Sequence, residues 1–183
     1  RQVAVSWAHA CALLDDGTVK CWGRGGCPLG LGDSEPRGDE PGEMGDHLPT
    51  VDLGTGRTAT AVAVSYGKSC ALLDNGAVKC WGVNSHGDLG QGDLAAHGCA
   101  PGKMGDHLAP IDLGTGRRAI AIAAGDDFAC ALLDDGRIKC WGRGLFVGLG
   151  DGKDHGDQPG EMGDHLPAVD LGTGRTALAL STS

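Results

Sequence analysis

Six of the eight cysteines in this sequence form three pairs with the same spacing, and thiols are its most reactive repeated groups. Within each pair the cysteines are ten positions apart: Cys11 and Cys21, Cys70 and Cys80, Cys130 and Cys140. Two thiols can form a disulfide, bind zinc or stay reduced. Zinc-binding cysteines are usually separated by about two to four residues, and no histidine lies between the paired cysteines. A disulfide therefore depends on whether the intervening segment brings the two sulfur atoms together.

The cysteine pairs belong to a longer repeat, in which the first cysteines of successive pairs are 59 and 60 residues apart. Gly-Asp-His-Leu follows at 45–48, 105–108 and 163–166, and Asp-Leu-Gly-Thr-Gly-Arg at 52–57, 112–117 and 170–175. Similarity at a fixed period indicates supersecondary units that bury their apolar faces by stacking on one another. We predict repeat 1 at 1–57 (incomplete at its N-terminal end), repeat 2 at 58–117, repeat 3 at 118–175, and the start of a following repeat at 176–183. We interpret the chain as a segment of a longer array.

Each cysteine pair lies in a predicted β-hairpin. The segments 61–64, 119–122 and 177–180 alternate small and large apolar residues with a period of two, which is typical of a strand. The next tight turn ends in Gly17, Gly76 or Gly136, where a type I turn followed by a residue with positive φ requires glycine. In the first repeat this turn pairs Leu13 with Val19 and Cys11 with Cys21.

This register predicts the chemistry of the cysteines. Counting outward from the turn, the paired cysteines face each other at a non-hydrogen-bonded position, where the Cα atoms are about 4.5 Å apart. That separation suits a disulfide, so we predict three hairpin bridges and a secreted or lumenal compartment. Cys27 and Cys99 lie outside the repeat pattern, in segments rich in Gly, Pro and Asp. They could bridge neighbouring repeats, form intermolecular bridges or remain free thiols.

Other polar residues are candidates for metal binding. Asp33, Asp39, Glu43 and Asp46 lie in one acidic loop, and calcium binds such oxygens; their spacing matches no known calcium loop, and a solvated acidic face is the alternative. The repeated histidines fall on successive units, which would separate them, so we interpret them as structural or surface residues: His47, His107 and His165. We expect the repeated aspartates to cap turns and the repeated arginines to pair with acidic neighbours: Asp52, Asp112 and Asp170; Arg57, Arg117 and Arg175.

Composition excludes several function classes. The net charge of −9 and pI near 5.0 oppose binding to nucleic acid, and no apolar run is long enough to insert into a membrane. No nucleophile–histidine–acid arrangement or phosphate-binding loop is recognisable, so we predict a protein that is not an enzyme and has no cofactor other than a possible calcium ion. The segments 23–48, 82–108 and 142–166 have little periodicity and are interpreted as surface loops. The segment 48–53 and its copies are predicted to be short outer strands.

The segment that follows the hairpin motif in repeat 2 is Val83-Asn84-Ser85-His86-Gly87-Asp88-Leu89-Gly90-Gln91-Gly92-Asp93. Together, the hairpin motif and this segment resemble the regulator-of-chromosome-condensation repeat in its secreted, cysteine-paired form. The resemblance covers essentially the whole chain, although the loops of repeats 1 and 3 depart from the Asn-x-x-Gly-Gln-Leu-Gly pattern. It implies an all-β fold of four-stranded β-propeller blades, of which about seven usually close a ring. It also implies that Trp22, Trp81 and Trp141 are blade-core residues.

Three blades cannot close such a ring, so we expect the chain to be part of a larger propeller or repeat assembly. The predicted function is a non-catalytic structural or protein-interaction scaffold, such as the repeating unit of an extracellular fibre. Its expected partners are other copies of the chain, further repeats of a longer chain, or another protein. The alternative is a regulatory propeller that binds one protein through its loops, as the exchange-factor and enzyme-inhibitor members of the family do.

Overall fold

The computed structural model describes residues 2–181, and its strands form three antiparallel sheets of three strands each. One sheet belongs to each predicted repeat, and in each the strands are ordered as in the sequence. The strands are β1 (Gln2–Val5), β2 (His9–Leu13), β3 (Val19–Gly23), β4 (Ala59–Val64), β5 (Lys68–Leu73), β6 (Val78–Gly82), β7 (Ala119–Ala124), β8 (Phe128–Leu133) and β9 (Ile138–Gly142). Short 3-10 helices occupy Cys27–Leu29, Gly45–His47, Gly105–His107 and Gly163–His165. The all-β prediction is confirmed.

The first strands of the three sheets lie side by side, with β4 between β1 and β7. The turns that follow these strands, at 6–8, 65–67 and 125–127, lie at one end of the sheets, which we call the upper rim. The β2–β3, β5–β6 and β8–β9 hairpin turns lie at the opposite end, the lower rim. The three sheets are therefore arranged like blades of one arc around a shared axis.

The hairpins have the register that the turn chemistry requires. Cys11 pairs with Cys21, and the equivalent cysteines pair in the other two sheets. Gly17, Gly76 and Gly136 have φ angles of 80°, 80° and 78°, respectively. A side chain with a Cβ is strained at such angles, so glycine at these three positions fixes the turn and, through it, the pairing of the strands.

The predicted outer strand is wrong for the described residues. The segment 48–53 and its copies form no strand, and each contributes a single backbone hydrogen bond to the third strand of its sheet. In repeat 1 the Val51 N–H donates to Val19 O at 2.8 Å, and Ile111 and Val169 make the same bond in the other repeats. Pro49 and Pro167 lie two positions before the bonded valine and have no N–H to extend this ladder in repeats 1 and 3. The blades are thus three-stranded rather than four-stranded.

Most of the apolar core lies between blades rather than within them. One cluster joins Val19 and Cys11 of repeat 1 to Val62 and Trp81 of repeat 2, and a second cluster joins repeats 2 and 3 in the same way. Trp81 and Trp141 are completely buried. Trp22, predicted to be a blade-core residue, is only partly buried, because no earlier repeat within residues 2–181 provides a loop to cover its indole.

Candidate functional site

Four disulfides account for all eight cysteines. The three hairpin bridges, Cys11–Cys21, Cys70–Cys80 and Cys130–Cys140, each have a Cα–Cα distance of 4.1 Å. The fourth bridge, Cys27–Cys99, links the loop of repeat 1 to the loop of repeat 2. Of the three possibilities that the sequence left open for Cys27 and Cys99, the structure therefore has the bridge between neighbouring repeats.

The two repeated motifs after each hairpin bind each other across the boundary between repeats. At the first joint, between repeats 1 and 2, Thr55 donates two hydrogen bonds to the Asp106 carboxylate, from its N–H at 2.9 Å and from its hydroxyl at 2.5 Å. The Gly105 N–H also donates to Asp52 O at 3.1 Å. The second joint, between repeats 2 and 3, has the same bonds: Thr115 to Asp164, and Gly163 to Asp112 O.

A lysine from the hairpin completes each joint. Lys79 is buried and donates to Leu53 O of repeat 1 at 3.0 Å and to Gly105 O of repeat 2 at 2.7 Å. Lys139 donates likewise to Gly163 O at 2.6 Å. Desolvation by burial lowers the pKa of both lysines, and nearby aspartates oppose that shift. At the first joint, carbonyl oxygens from two repeats thus converge on the Lys79 ammonium group, whereas Lys139 bonds a carbonyl of its own repeat.

The repeated tryptophans also connect successive repeats. The Trp81 indole N–H donates to Pro28 O at 3.0 Å, and the Trp141 N–H donates to Asp88 O at 3.1 Å. Each acceptor lies in the loop of the preceding repeat. Burying an indole requires a partner for its N–H, and the preceding loop supplies that partner.

Beneath the upper rim the joints differ. In the first joint His9 is buried with its Nε2 2.8 Å from Ser69 Oγ, and burial lowers its pKa to about 4. In the second joint Lys68 forms a buried ion pair with Asp88 at 2.7 Å and also donates to Asp126 O at 3.0 Å. The sequence analysis did not identify these groups, because their partners lie in other strands and loops.

The His9–Ser69 contact is not arranged for nucleophilic catalysis. Ser69 is 1 % exposed, and its hydroxyl donates to Pro28 O at 2.8 Å. A nucleophilic serine must reach a substrate carbonyl, and this hydroxyl is enclosed between two blades. The contact therefore acts as part of the joint.

The candidate metal-binding residues are directed to other partners. Glu43 accepts hydrogen bonds from three backbone N–H groups of its own loop, which lowers its pKa, and Asp33 pairs with Arg37 at 2.6 Å. The repeated histidines His47, His107 and His165 are exposed and lie in successive repeats. Throughout residues 2–181, no three His, Cys, Asp or Glu side chains come together as ligands for one metal ion. The calcium candidates Asp39 and Asp46 belong to no such group either.

The repeated aspartates and arginines have local roles. Asp52 accepts a hydrogen bond from the Gly54 N–H at 2.9 Å, and Asp112 and Asp170 cap the equivalent turns. Arg57 pairs with Asp74 at 3.2 Å, and Arg117 pairs with Asp134 and Asp135. These residues stabilise loops at the lower rim.

Side chains outside the repeat pattern collect at the upper rim. Of the seven aromatic residues, three are the repeated tryptophans, and the other four lie at this rim: Trp7, Tyr66, Phe128 and Phe146. The Trp7 and Tyr66 rings have centroids 5.3 Å apart, and Phe128 and Phe146 have centroids 5.8 Å apart. Trp7 is 81 % exposed, Tyr66 50 % and Phe146 51 %.

Polar contacts connect the two aromatic pairs into one strip. The Tyr66 N–H donates to Asp126 Oδ1 at 3.1 Å, and the neighbouring Asp127 pairs with Arg143 at 3.0 Å. We call Trp7, Tyr66, Asp126, Asp127, Arg143 and Phe146 the rim strip. It crosses all three repeats. Exposed aromatic residues in such a cluster are typical of protein-interaction surfaces. The signal that could have revealed it in the sequence is the set of aromatic residues that the repeat does not explain.

Comparison with known proteins places this architecture in a family. The family profile for the regulator of chromosome condensation (RCC1) repeat matches residues 1–27, 59–88 and 119–146, and a second profile with the same description matches 75–132. Human WBSCR16 has a similar structure, with a TM-score of 0.65, 21% identity and coverage of 88% of this chain and 37% of that chain. Yeast RCC1 (Prp20), solved with Kap60 bound to it, has a TM-score of 0.60 at 21% identity, over 86% of this chain and 36% of its own.

Proteins that are similar to this chain in sequence support the same family assignment. The mitochondrial RCC1 domain-containing protein RUG3 of Arabidopsis thaliana is 32% identical over 152 residues, and the ultraviolet-B receptor UVR8 of the same plant is 30% identical over 160 residues. These alignments cover 81% and 84% of this chain, which spans about a third of each relative's length (31% and 32%). No helix in the described part of the chain has the length and apolar character needed to cross a membrane. The repeats, the blades and the profile matches together show that the chain belongs to the RCC1 repeat family.

Proposed function

We propose that the chain is a non-catalytic scaffold in which RCC1-type blades continue from both ends of the arc, supplied by further repeats or by other copies of the chain. This proposal rests on one observation: each end of the three-blade arc presents residues equivalent to those of the joints, but among the described residues they do not form the joint bonds. Thr173 is equivalent to Thr55 and Thr115, and Asp46 is equivalent to Asp106 and Asp164. Within residues 2–181 neither Thr173 nor Asp46 makes the bond that its equivalents make.

The first repeat has the remaining parts of a joint ready for an incoming segment. Lys20 donates to Gly45 O at 2.7 Å, as Lys79 does to Gly105 O, but no carbonyl from an earlier repeat reaches it among the described residues. The exposed face of Trp22 is the place where an earlier loop would lie. Repeat 1 presents Asp46, Lys20 and the Trp22 indole, and repeat 3 presents Thr173 and the carbonyl groups before it. These two surfaces are complementary to each other. Such head-to-tail contacts build a ring or a fibre, depending on whether the rotation closes.

The disulfides support an extracytoplasmic site of action for this scaffold. Four bridges that include every cysteine persist in oxidising compartments and are rare in the cytosol. A structural element of an extracellular fibre or surface assembly would use these covalent links to resist unfolding.

Sedimentation velocity of the chain over a range of concentrations tests the scaffold proposal. The expected result is reversible association that Asp46→Asn and Thr173→Val weaken by about tenfold or more, since each removes hydrogen bonds to a partner. Glu40→Gln is the matched control, because this exposed carboxylate lies outside the joint motif. A monomer at every concentration, or equal association of the wild type and Asp46→Asn, would contradict self-assembly of the chain.

A second candidate function is favoured by the rim strip: a regulatory propeller that binds one protein partner at its upper rim. The solved yeast RCC1 is bound to Kap60, which supports protein binding as a property of this fold. Electron microscopy of the native assembly separates the two candidates. Discrete particles would favour the regulator, and rods or fibres would favour the structural scaffold.

A further inference from the structure

One half of the rim strip contains a positively charged side chain, Arg143, that the strip itself holds in place. The Arg143 guanidinium lies 5.6 Å from the centre of the Phe146 ring, and its Nη1 is 3.0 Å from Asp127 Oδ2. The planar cation is therefore held by an aromatic ring and a carboxylate at once. Both contacts favour a positive charge, because the ring quadrupole and the carboxylate attract it together.

The other half of the strip also has aromatic rings and a carboxylate, but no positively charged side chain from the described part of the chain lies between them. The Trp7 and Tyr66 rings are in contact and largely exposed, and the Asp126 carboxylate is held beside them by the Tyr66 N–H. Within residues 2–181 no lysine, arginine or histidine forms an ion pair with the Asp126 carboxylate. Lys68 bonds the backbone oxygen of Asp126 instead, and its ammonium group is buried against Asp88.

We propose that Trp7, Tyr66 and Asp126 bind an arginine side chain of a protein partner. This inference rests on the second candidate function, in which the upper rim binds a protein. Arginine fits better than lysine because a planar guanidinium stacks on an aromatic face and donates two parallel hydrogen bonds to a carboxylate. The net charge of −9 adds a general attraction for a basic segment.

The surroundings of this site suit a peptide segment. A groove runs from Trp7, Tyr66 and Asp126 along the first strands of the three blades, where Val5, Val64 and Ala124 line it. An extended segment whose arginine lies between the rings and Asp126 can continue into this groove. The partner is therefore a basic protein segment with arginine as its anchor.

Calorimetric titration with capped peptides tests the proposal, using a Gly/Ser peptide that carries two arginines and counterparts that carry citrulline, lysine or glutamate instead. The expected result is saturable binding of the arginine peptide, weaker binding of the lysine peptide, and no binding of the citrulline or glutamate peptides. Trp7→Ala and Asp126→Asn are expected to weaken binding of the arginine peptide by at least about fivefold. Because Trp7 is 81 % exposed, its removal is expected to leave the fold intact, which far-ultraviolet circular dichroism and urea unfolding verify.

The matched control is Asp16→Asn, which removes the same charge from an exposed carboxylate at the lower rim. Binding of the arginine peptide is expected to be unchanged in this variant. Equal weakening by Asp16→Asn and Asp126→Asn would show bulk charge attraction and overturn the site, as would no binding of the arginine peptide. Equal binding of the citrulline peptide, lost in Trp7→Ala, would overturn the arginine assignment while leaving protein binding at the rim intact. The sedimentation experiment decides the scaffold function separately.

Discussion

At the lower rim, the two joints share their backbone contacts, their threonine–aspartate contacts and a lysine that donates to Gly105 O or Gly163 O. Near the upper rim, they are closed differently. The first joint has the Cys27–Cys99 disulfide and the neutral His9–Ser69 contact. At the positions equivalent to Cys27 and Cys99, the second joint has Gly87 packed on the backbone of Asp157, so closely that a Cβ would overlap it. Its buried charge pair, Lys68–Asp88, lies nearby. The repeated residues thus determine how blades stack, and the side chains near the upper rim vary without changing that arrangement.

The largest expected effect comes from opening the inter-repeat bridge. The pair Cys27→Ala and Cys99→Ala should lower the free energy of unfolding by about 4 kcal/mol, because the bridge closes a loop with a sequence separation of 72. The hairpin pair Cys70→Ala and Cys80→Ala, with a separation of 10, should cost about 3 kcal/mol. Urea unfolding of both variants measures the difference. A larger loss from the hairpin pair would mean that loop length does not determine the contribution of the bridges.

The second joint should depend on its ion pair. Asp88→Asn removes the carboxylate in direct contact with the buried Lys68 ammonium and leaves only the charges of Asp126 and Asp127 nearby, and we expect a loss of about 3 kcal/mol. Desolvation by burial already lowers the Lys68 pKa, and loss of the Asp88 carboxylate would lower it further. Urea unfolding gives the loss, and Asp93→Asn, at a half-exposed carboxylate in the same loop that contacts no lysine among residues 2–181, is the control. A similar loss in both variants would show that the ion pair contributes nothing specific.

The first joint should instead be sensitive to acid. Folded His9 has a pKa of about 4 and unfolded histidine one of about 6.5, so the unfolded chain binds a proton first as the pH falls. The contribution of His9 to stability is therefore complete above about pH 6.5 and should be lost towards pH 4, by about 3 kcal/mol in total. Unfolding experiments across this range should show that His9→Gln removes that part of the pH dependence. An identical pH dependence in the variant would place its cause elsewhere.

The sequence correctly predicted the parts of the structure that are determined by neighbouring residues, namely the hairpins and their disulfides. The turn glycines specify the hairpin register, and the register brings each cysteine next to its partner. The predicted outer strand at 48–53 was wrong, since Pro49 cannot donate the next bond of a ladder and the segment keeps only the Val51 bond to Val19. The Lys68–Asp88 pair and the rim strip depend on contacts between loops of different repeats, and neither periodicity nor local turn chemistry predicts these contacts.

The smallest expected effect tests whether the hairpin turns are equivalent in the two joints. Gly17 and Gly76 have the same φ, and a Cβ at either would lie within 2.8 Å of a side-chain atom of the next repeat. We expect Gly17→Ala and Gly76→Ala to cost about 2 kcal/mol each, from the left-handed conformation and the crowding together. Gly56→Ala, at φ 67° with no atom within 4 Å, should cost only about 1 kcal/mol. Unequal costs at Gly17 and Gly76 would show that the joints differ at the lower rim as well.

The most direct test of the central claim, that the repeated chemistry of this chain builds joints and hairpins, is peptide mapping of the native protein without reduction. The expected result is four linked pairs: Cys11–Cys21, Cys70–Cys80, Cys130–Cys140 and Cys27–Cys99. Free thiols at these positions, or cysteines exchanged between the pairs, would contradict the account, because the hairpin register and the first joint place the two cysteines of each pair in contact.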